Sequence, residues 1–170
     1  MRQEDESEIV AGIPHLRRYA RGLTGDRERA DDLVQDTLER ACSRFPLWQR
    51  RGELRAWMFG IMHNLFIDRV RARRSQPEDA LDTELPEPPD RPTQTDGLEL
   101  RDLDRVLARL PAEQREVLLL VGVEEMSYQD VARIVGVPIG TVMSRLSRAR
   151  ERLRAELQGG CDQPRLQRVK

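Results

Sequence analysis

The chain has 170 residues, a formal net charge of −1, 35% charged residues and only 4% aromatic ones. That length suits one ordinary domain or two small helical ones. Leu/Ala/Arg/Glu-rich stretches dominate over β-branched runs, which suits small helical domains better than a large β core, and an all-α class is expected. The two cysteines, Cys42 and Cys161, lack CxxC or Cys/His spacing, the MRQEDESEIV start is polar, and no apolar run is long enough to span a bilayer. These features predict a reduced, soluble cytoplasmic protein with no metal, no cofactor and no membrane insertion of its own.

Ile9, Ile13, Leu16, Tyr19, Ala20 and Leu23 recur at three- and four-residue steps. They predict an amphipathic first helix, interrupted near Pro14 and ended at Gly25. Asp26 or a neighbour caps a second helix through Ala30, Leu33, Val34, Thr37, Leu38 and Ala41, closed by Phe45-Pro46. Its other face carries Asp31, Asp32, Gln35, Asp36 and Glu39, and Cys42 is expected to be a buried helix thiol. After a loop at 50–53, a third helix from Leu54 to about Arg73 is apolar nearly all round, as a domain's central element is. Trp57, Ile61 and Leu65 share its core stripe. Gly60 interrupts the run, at about 1 kcal/mol against alanine in a helix. His63 and Asn64 follow, and Arg69, Arg71, Arg73 and Arg74 close the helix in a basic cluster.

From 75 to about 97 the composition changes: prolines crowd between Pro86 and Pro92, acids are frequent and large apolar residues scarce. This predicts a flexible, extended acidic linker. Beyond it, Leu100, Leu103, Val106, Leu107 and Leu110 mark a helix stopped by Pro111, and the next runs from Glu113 to about Val123 with 117–121 buried. Ser127-x-x-Asp130 then opens a helix whose buried face is Val131, Ala132 and Val135. Gly136 supplies a left-handed stop, and Pro138 precedes a second helix with Val142, Leu146 and Leu153 on one side. Small residues and arginines on the remaining faces, in this order, predict a helix-turn-helix whose second helix enters a major groove. Gly159-Gly160 ends the order, and a frayed tail is expected after it. The near-zero net charge therefore hides basic patches separated by acid, a balance compatible with binding a polyanion.

Three phrases in this order resemble bacterial RNA polymerase sigma factors of the extracytoplasmic-function group, the kind built from sigma domains two and four alone. They are ADDLVQDTLERA (30–41), RAWMFGIMHNLFIDRVRARR (55–74) and the segment 110–153 beginning LPAEQREVLLL. The resemblance implies sigma domain 2 at 1–74, the acidic linker at 75–97, a helix-turn-helix sigma domain 4 at 98–158 and a tail at 159–170. It further implies that Asp32, Gln35, Asp36 and Arg40 dock on the clamp helices of the largest core RNA polymerase subunit. The apolar exit of the 113–123 helix would meet the flap tip of the second-largest subunit. His63, Asn64 and Asp68, with Arg69, Arg71, Arg73 and Arg74, would bind and open the minus-ten element, the arginines holding phosphates. In the last helix Met143, Ser144, Ser147 and Arg148 would read minus-thirty-five base edges, Arg145 and Arg150 phosphates, and Thr141 the backbone near the helix start. An anti-sigma factor is a further implied partner. Members of the family usually carry a larger residue, often arginine, where this chain has Gly60.

A second reading is a stand-alone helix-turn-helix regulator with an N-terminal dimerisation or sensing module, though a long flexible linker fits poorly with rigid half-site spacing. No HExxH, glycine-rich phosphate loop or nucleophile elbow is present, so no catalytic residues are assigned and an enzyme is not expected. In the sigma-factor reading the acidic linker threads the polymerase channel in place of nucleic acid. Replacing its acids with Ser and Gly is then expected to change the pattern of abortive products. An unchanged pattern on a sequencing gel would remove that role.

Overall fold

A computed structural model describes residues 3–48, 52–74 and 104–159, and among these every regular element is a helix. The expected linker, the tail beyond 159, Leu100, Leu103 and Cys161 lie outside the described residues, as does the first half of the 50–53 loop.

Helix α1 (Gln3–Thr24) opens with Glu4, Asp5 and Glu6, acids that suit the positive end of a helix dipole, and it buries Ile9, Leu16, Tyr19, Ala20 and Leu23. The expected break at Pro14 does not occur: α1 is one continuous helix. Pro14 and Val10, whose carbonyl loses its amide partner, are both exposed, so water can satisfy that group while the buried stripe holds the helix together. Asp26 caps α2 (Arg27–Arg44) by accepting from the Arg29 amide at 2.8 Å. The α2 core residues are Ala30, Leu33, Val34, Thr37 and Ala41. Cys42 is exposed, contrary to the expectation of a buried thiol. It follows Ala41, which faces the core, and one step of 100° turns it to solvent.

After a short 3-10 turn (Phe45–Leu47), α3 (Leu54–Arg74) buries Leu54, Met58, Phe59, Ile61, Met62 and Leu65, with Trp57 half-buried. Tyr19 meets Phe59 edge-on, centroids 5.1 Å apart. The C-terminal half begins with α4 (104–109), followed by α5 (Ala112–Gly122), α6 (Tyr128–Val135) and α7 (Ile139–Gly159). Ser127 caps α6 by accepting from the Asp130 amide at 3.1 Å, and Gly136 ends it at φ +71°, a left-handed conformation that favours glycine. Pro138 then accepts from the Thr141 amide at 2.9 Å, which closes the first turn of α7. Val131, Ile134, Val142, Leu146 and Ala149 fill the space between the two helices; Ile134 and Ala149 join the set expected from the spacing, whereas Ala132, Val135 and Leu153 are half-buried.

The two halves touch. Helix α1 packs on α5 and α3 packs on α6, so one apolar cluster runs through both. This explains why α3 is apolar on most sides: α1 and α2 cover one flank and α6 another. Gly22 permits the approach of α1 to α5, because a Cβ there would lie 2.7 Å from both methyl carbons of Leu119. At Gly60, by contrast, an added Cβ meets nothing within 4 Å. Gly60→Ala is therefore expected to stabilise the chain by about 0.5–1 kcal/mol, through helix propensity and a less flexible unfolded state. A urea-unfolding midpoint that stays put or falls would show that the glycine serves packing instead.

Candidate nucleic-acid interface

Helix α7 presents one open face because its other side is used up. Val142, Leu146 and Ala149 are buried, which leaves Met143 (48% exposed), Ser144, Ser147, Arg148 and Arg150 toward solvent. Thr141 is half-buried at the helix start, where its carbonyl accepts from the Ser144 hydroxyl at 3.0 Å. Arg145 turns aside: its side chain is 20% exposed and pairs with Glu113 at 2.9 Å. Glu113 itself is 68% exposed, so the pair contributes about 0–1 kcal/mol.

On the first half, Asp32, Gln35 and Asp36 are exposed along α2 and Arg40 is half-buried, all on one face. Gln35 donates to Glu39 at 3.0 Å, and Arg40 lines a surface groove with Asp36, Glu39, Ser43, Arg44 and Leu65. Asp36 pairs with Arg69 of α3 at 2.5 Å, so the two residue groups expected to serve polymerase and promoter meet in a single ridge. Beyond it Asn64, Asp68, Arg71 and Arg73 are exposed along α3, and Arg74 is its last residue. His63 stands apart from them. It is buried and pairs through Nδ1 with Glu116 of α5, which places it between the two halves and away from solvent.

That contact belongs to a polar cluster that sequence reasoning missed. Glu116 also accepts from the buried Tyr19 hydroxyl at 3.0 Å. Glu124, just past α5, has no exposed side-chain surface and accepts from Arg18 Nε at 2.8 Å, Arg55 at 2.8 Å and His15 Nδ1 at 2.9 Å. Arg55 donates to the Glu124 carbonyl as well, at 2.9 Å. Nearby, Arg115 donates to the Leu23, Ala108 and Leu110 carbonyls, tying the end of α1 to the end of α4. One signal was available: Glu116 occupies the same helical stripe as Leu119 and Leu120, an acid at a core position. No local spacing could have paired it with Tyr19 or His63, whose partners are 97 and 53 residues away.

Burial alone would raise the Glu124 carboxyl, but hydrogen bonds from Arg18, His15 and Arg55 and the charge of Arg18 outweigh it and hold the group below its ordinary value. Burial first, then the Glu116 charge, pushes the Tyr19 phenol well above its usual range, so it remains a donor. Among the described residues, no group of three or more His, Cys, Asp or Glu side chains is arranged to hold a metal, and no helix is long and apolar enough to cross a membrane.

Two packed helical units, one ending in a capped helix-turn-helix with an open reading face, define a two-part DNA-binding protein. Residues 9–63 match the Sigma2 domain of PhyR, and residues 100–153 match Sigma-70, region 4. The chain is similar to the ECF RNA polymerase sigma factor EcfG of Rhodopseudomonas palustris, with 43% identity over 150 residues, 88% of this chain and 83% of that protein. It is also similar to the ECF RNA polymerase sigma factor SigC of Mycobacterium tuberculosis, with 35% identity over 75% of this chain and 69% of that one. Among solved structures, the sigma factor RpoE of Bartonella quintana, in complex with the anti-sigma factor NepR, superposes with a TM-score of 0.82 at 35% identity, over 95% of this chain and 100% of that one. The chain belongs to the extracytoplasmic-function family of RNA polymerase sigma factors, and it is an alternative sigma factor.

The lowered Glu124 value fixes a sign. A depressed carboxyl contributes its full stability above the unfolded value, near 4.5, and loses it as pH falls through the folded one. The difference in melting temperature between wild type and Glu124→Gln is expected to be constant above about pH 5 and to shrink in more acid solution. A difference that grows with acidity would contradict the cage.

Proposed function

We propose that this sigma factor docks on the clamp helices of core RNA polymerase through Asp32, Gln35, Asp36 and Arg40. It reads the minus-thirty-five element as duplex with α7 and binds the opened minus-ten strand along α3. The observation that carries this reading is the division of α7 into a buried side and an exposed side bearing Met143, Ser144, Ser147 and Arg148. In it, Arg148 pairs with a base edge, Arg145 and Arg150 hold phosphates, and Thr141 contacts the backbone at the helix start. The acidic α2 face steers association with polymerase and sets register more than it adds raw affinity. The apolar exit of α5, where Val123 is exposed, is the contact for the flap tip.

Opening the promoter needs no covalent chemistry, and the chain acts as a specificity subunit without a catalytic group of its own. It has only to bind separated strands better than duplex, with Asn64 on a base edge and Arg69, Arg71, Arg73 and Arg74 along the phosphates. His63 joins that site only when the second unit is withdrawn from it. The work is done in the cytoplasm, where promoter and polymerase are. Control by an anti-sigma factor is supported by the likeness over nearly the whole chain to a sigma factor solved with one. A stand-alone regulator is not supported, because both matched regions are sigma regions.

With reconstituted holoenzyme, Arg148→Ala is expected to remove about 1–3 kcal/mol of discrimination at one minus-thirty-five base pair and leave other positions unaffected. Arg150→Ala should weaken binding evenly across sequences and reduce the salt slope by about one. Competition between point-substituted promoters separates the two patterns. Equal behaviour of the two variants would refute the assignment of reading and holding roles.

A further inference from the structure

We propose that the chain closes on itself without help, through a clasp in which Glu116 and Glu124 of the second unit are held by His15, Arg18, Tyr19, Arg55 and His63 of the first. The closed form is the resting state from which polymerase must draw an open one. The proposal rests on the sigma-factor reading and adds its regulation.

The clasp is one-sided in chemistry. Both acceptors lie on α5 or just beyond it, and all five donors lie on α1 or α3. Apolar contacts alone would hold two units together in many registers, whereas five convergent donors accept one. Charge also makes the contact reversible. Parted carboxylates and guanidinium groups are recovered by water, while removing only one partner in the closed form strands a buried charge. Such an interface is stable when complete and breaks as a unit.

Distance makes closure inhibitory. Elements centred about 25 base pairs apart are separated by about 85 Å at 3.4 Å per step. A compact chain of this size has a radius of gyration near 15 Å, so two touching units cannot reach both elements. The 29 residues from 75 to 103 can extend to about 100 Å, which is enough. The likeness to the sigma factor solved with an anti-sigma factor covers both units together, so that protein has the same closed arrangement. Here the chain's own side chains supply it. An anti-sigma factor would then capture a closed form and need not create one.

The test uses the full chain, alone in solution, with energy-transfer dyes on the exposed Cys42 and on Leu157→Cys in a Cys161→Ser background. Wild type is expected to show high transfer that persists at moderate salt, because buried pairs are screened much less than exposed ones, a measurement that needs no variant of the clasp. Glu124→Arg and Arg18→Glu should each raise the ratio of open to closed forms about tenfold or more, and the exchanged pair together should restore most of the closure. Low transfer in the wild-type chain at low salt would overturn the clasp, and so would single variants that remain closed with helical content intact. Initiation with core enzyme is scored separately. A wild-type chain that closes but directs no start site sinks the sigma-factor reading and spares the clasp.

Discussion

Two carboxylates buried where the halves of this protein meet govern the rest of its architecture. An ion removed from water costs several kcal/mol unless its lone pairs are met, and Glu116 and Glu124 lie far from their donors in sequence. Helices α1 and α3 must therefore run side by side with His15, Arg18, Tyr19, Arg55 and His63 on a common surface. A Cβ at position 22 of α1 would press on both methyl carbons of Leu119, so the glycine lets the two units approach closely there. Tyr19 illustrates the coupling. Its ring fills the first core against Phe59, and its hydroxyl, kept protonated by burial and by the neighbouring carboxylate, serves the contact with the second unit. Packing and electrostatics meet in that one residue.

The solvent-facing ion pairs have a different standing. Asp36–Arg69 and Glu113–Arg145 each pair a part-buried arginine with an exposed carboxylate, so each holds its partners loosely, at about 0–1 kcal/mol. Loose pairing suits residues that must exchange partners. In the proposed reading Arg69 and Arg145 give up a carboxylate for a phosphate, and Asp36 is released toward polymerase. Buried charges set the shape of the chain, and exposed ones remain available to whatever binds it.

Local physics was legible in the sequence wherever one turn of backbone decides the outcome. Ser127 with Asp130, Gly136 and Pro138 gave the helix-turn-helix its limits, and Asp26 marked the start of α2. Two local readings failed. Pro14 does not break α1, because its unsatisfied partner faces solvent, and Cys42 points outward one step past a core alanine. The larger omission concerned distance along the chain. Helix α3 is legible as apolar on most sides, a pattern that points to the centre of one domain, whereas its surplus apolar flank is covered by α6. Glu116 in an apolar stripe was the visible trace of the clasp. Its partners could be found only once the helices were placed.

The placement of His63 separates two parts of the proposed minus-ten site. Asn64 is one residue further and about 100° around the helix, and with Asp68 and Arg71 it forms an exposed stripe at four- and three-residue steps. That stripe faces solvent while the units are closed; His63 does not. In the proposed reading, part of that surface is thus ready in advance, and part appears only on opening. Asp68 constrains what the ready part can hold. A carboxylate repels the phosphate backbone and accepts instead from the exocyclic amine of a base such as cytosine. Asn64 and Asp68 together therefore suit the edges of unstacked bases, while Arg69 and Arg73 on either side suit the strand that carries them. A strand laid on this helix would be held at its backbone by cations and questioned at its bases by an amide and an acid, which is the selectivity that opening a promoter at one place requires.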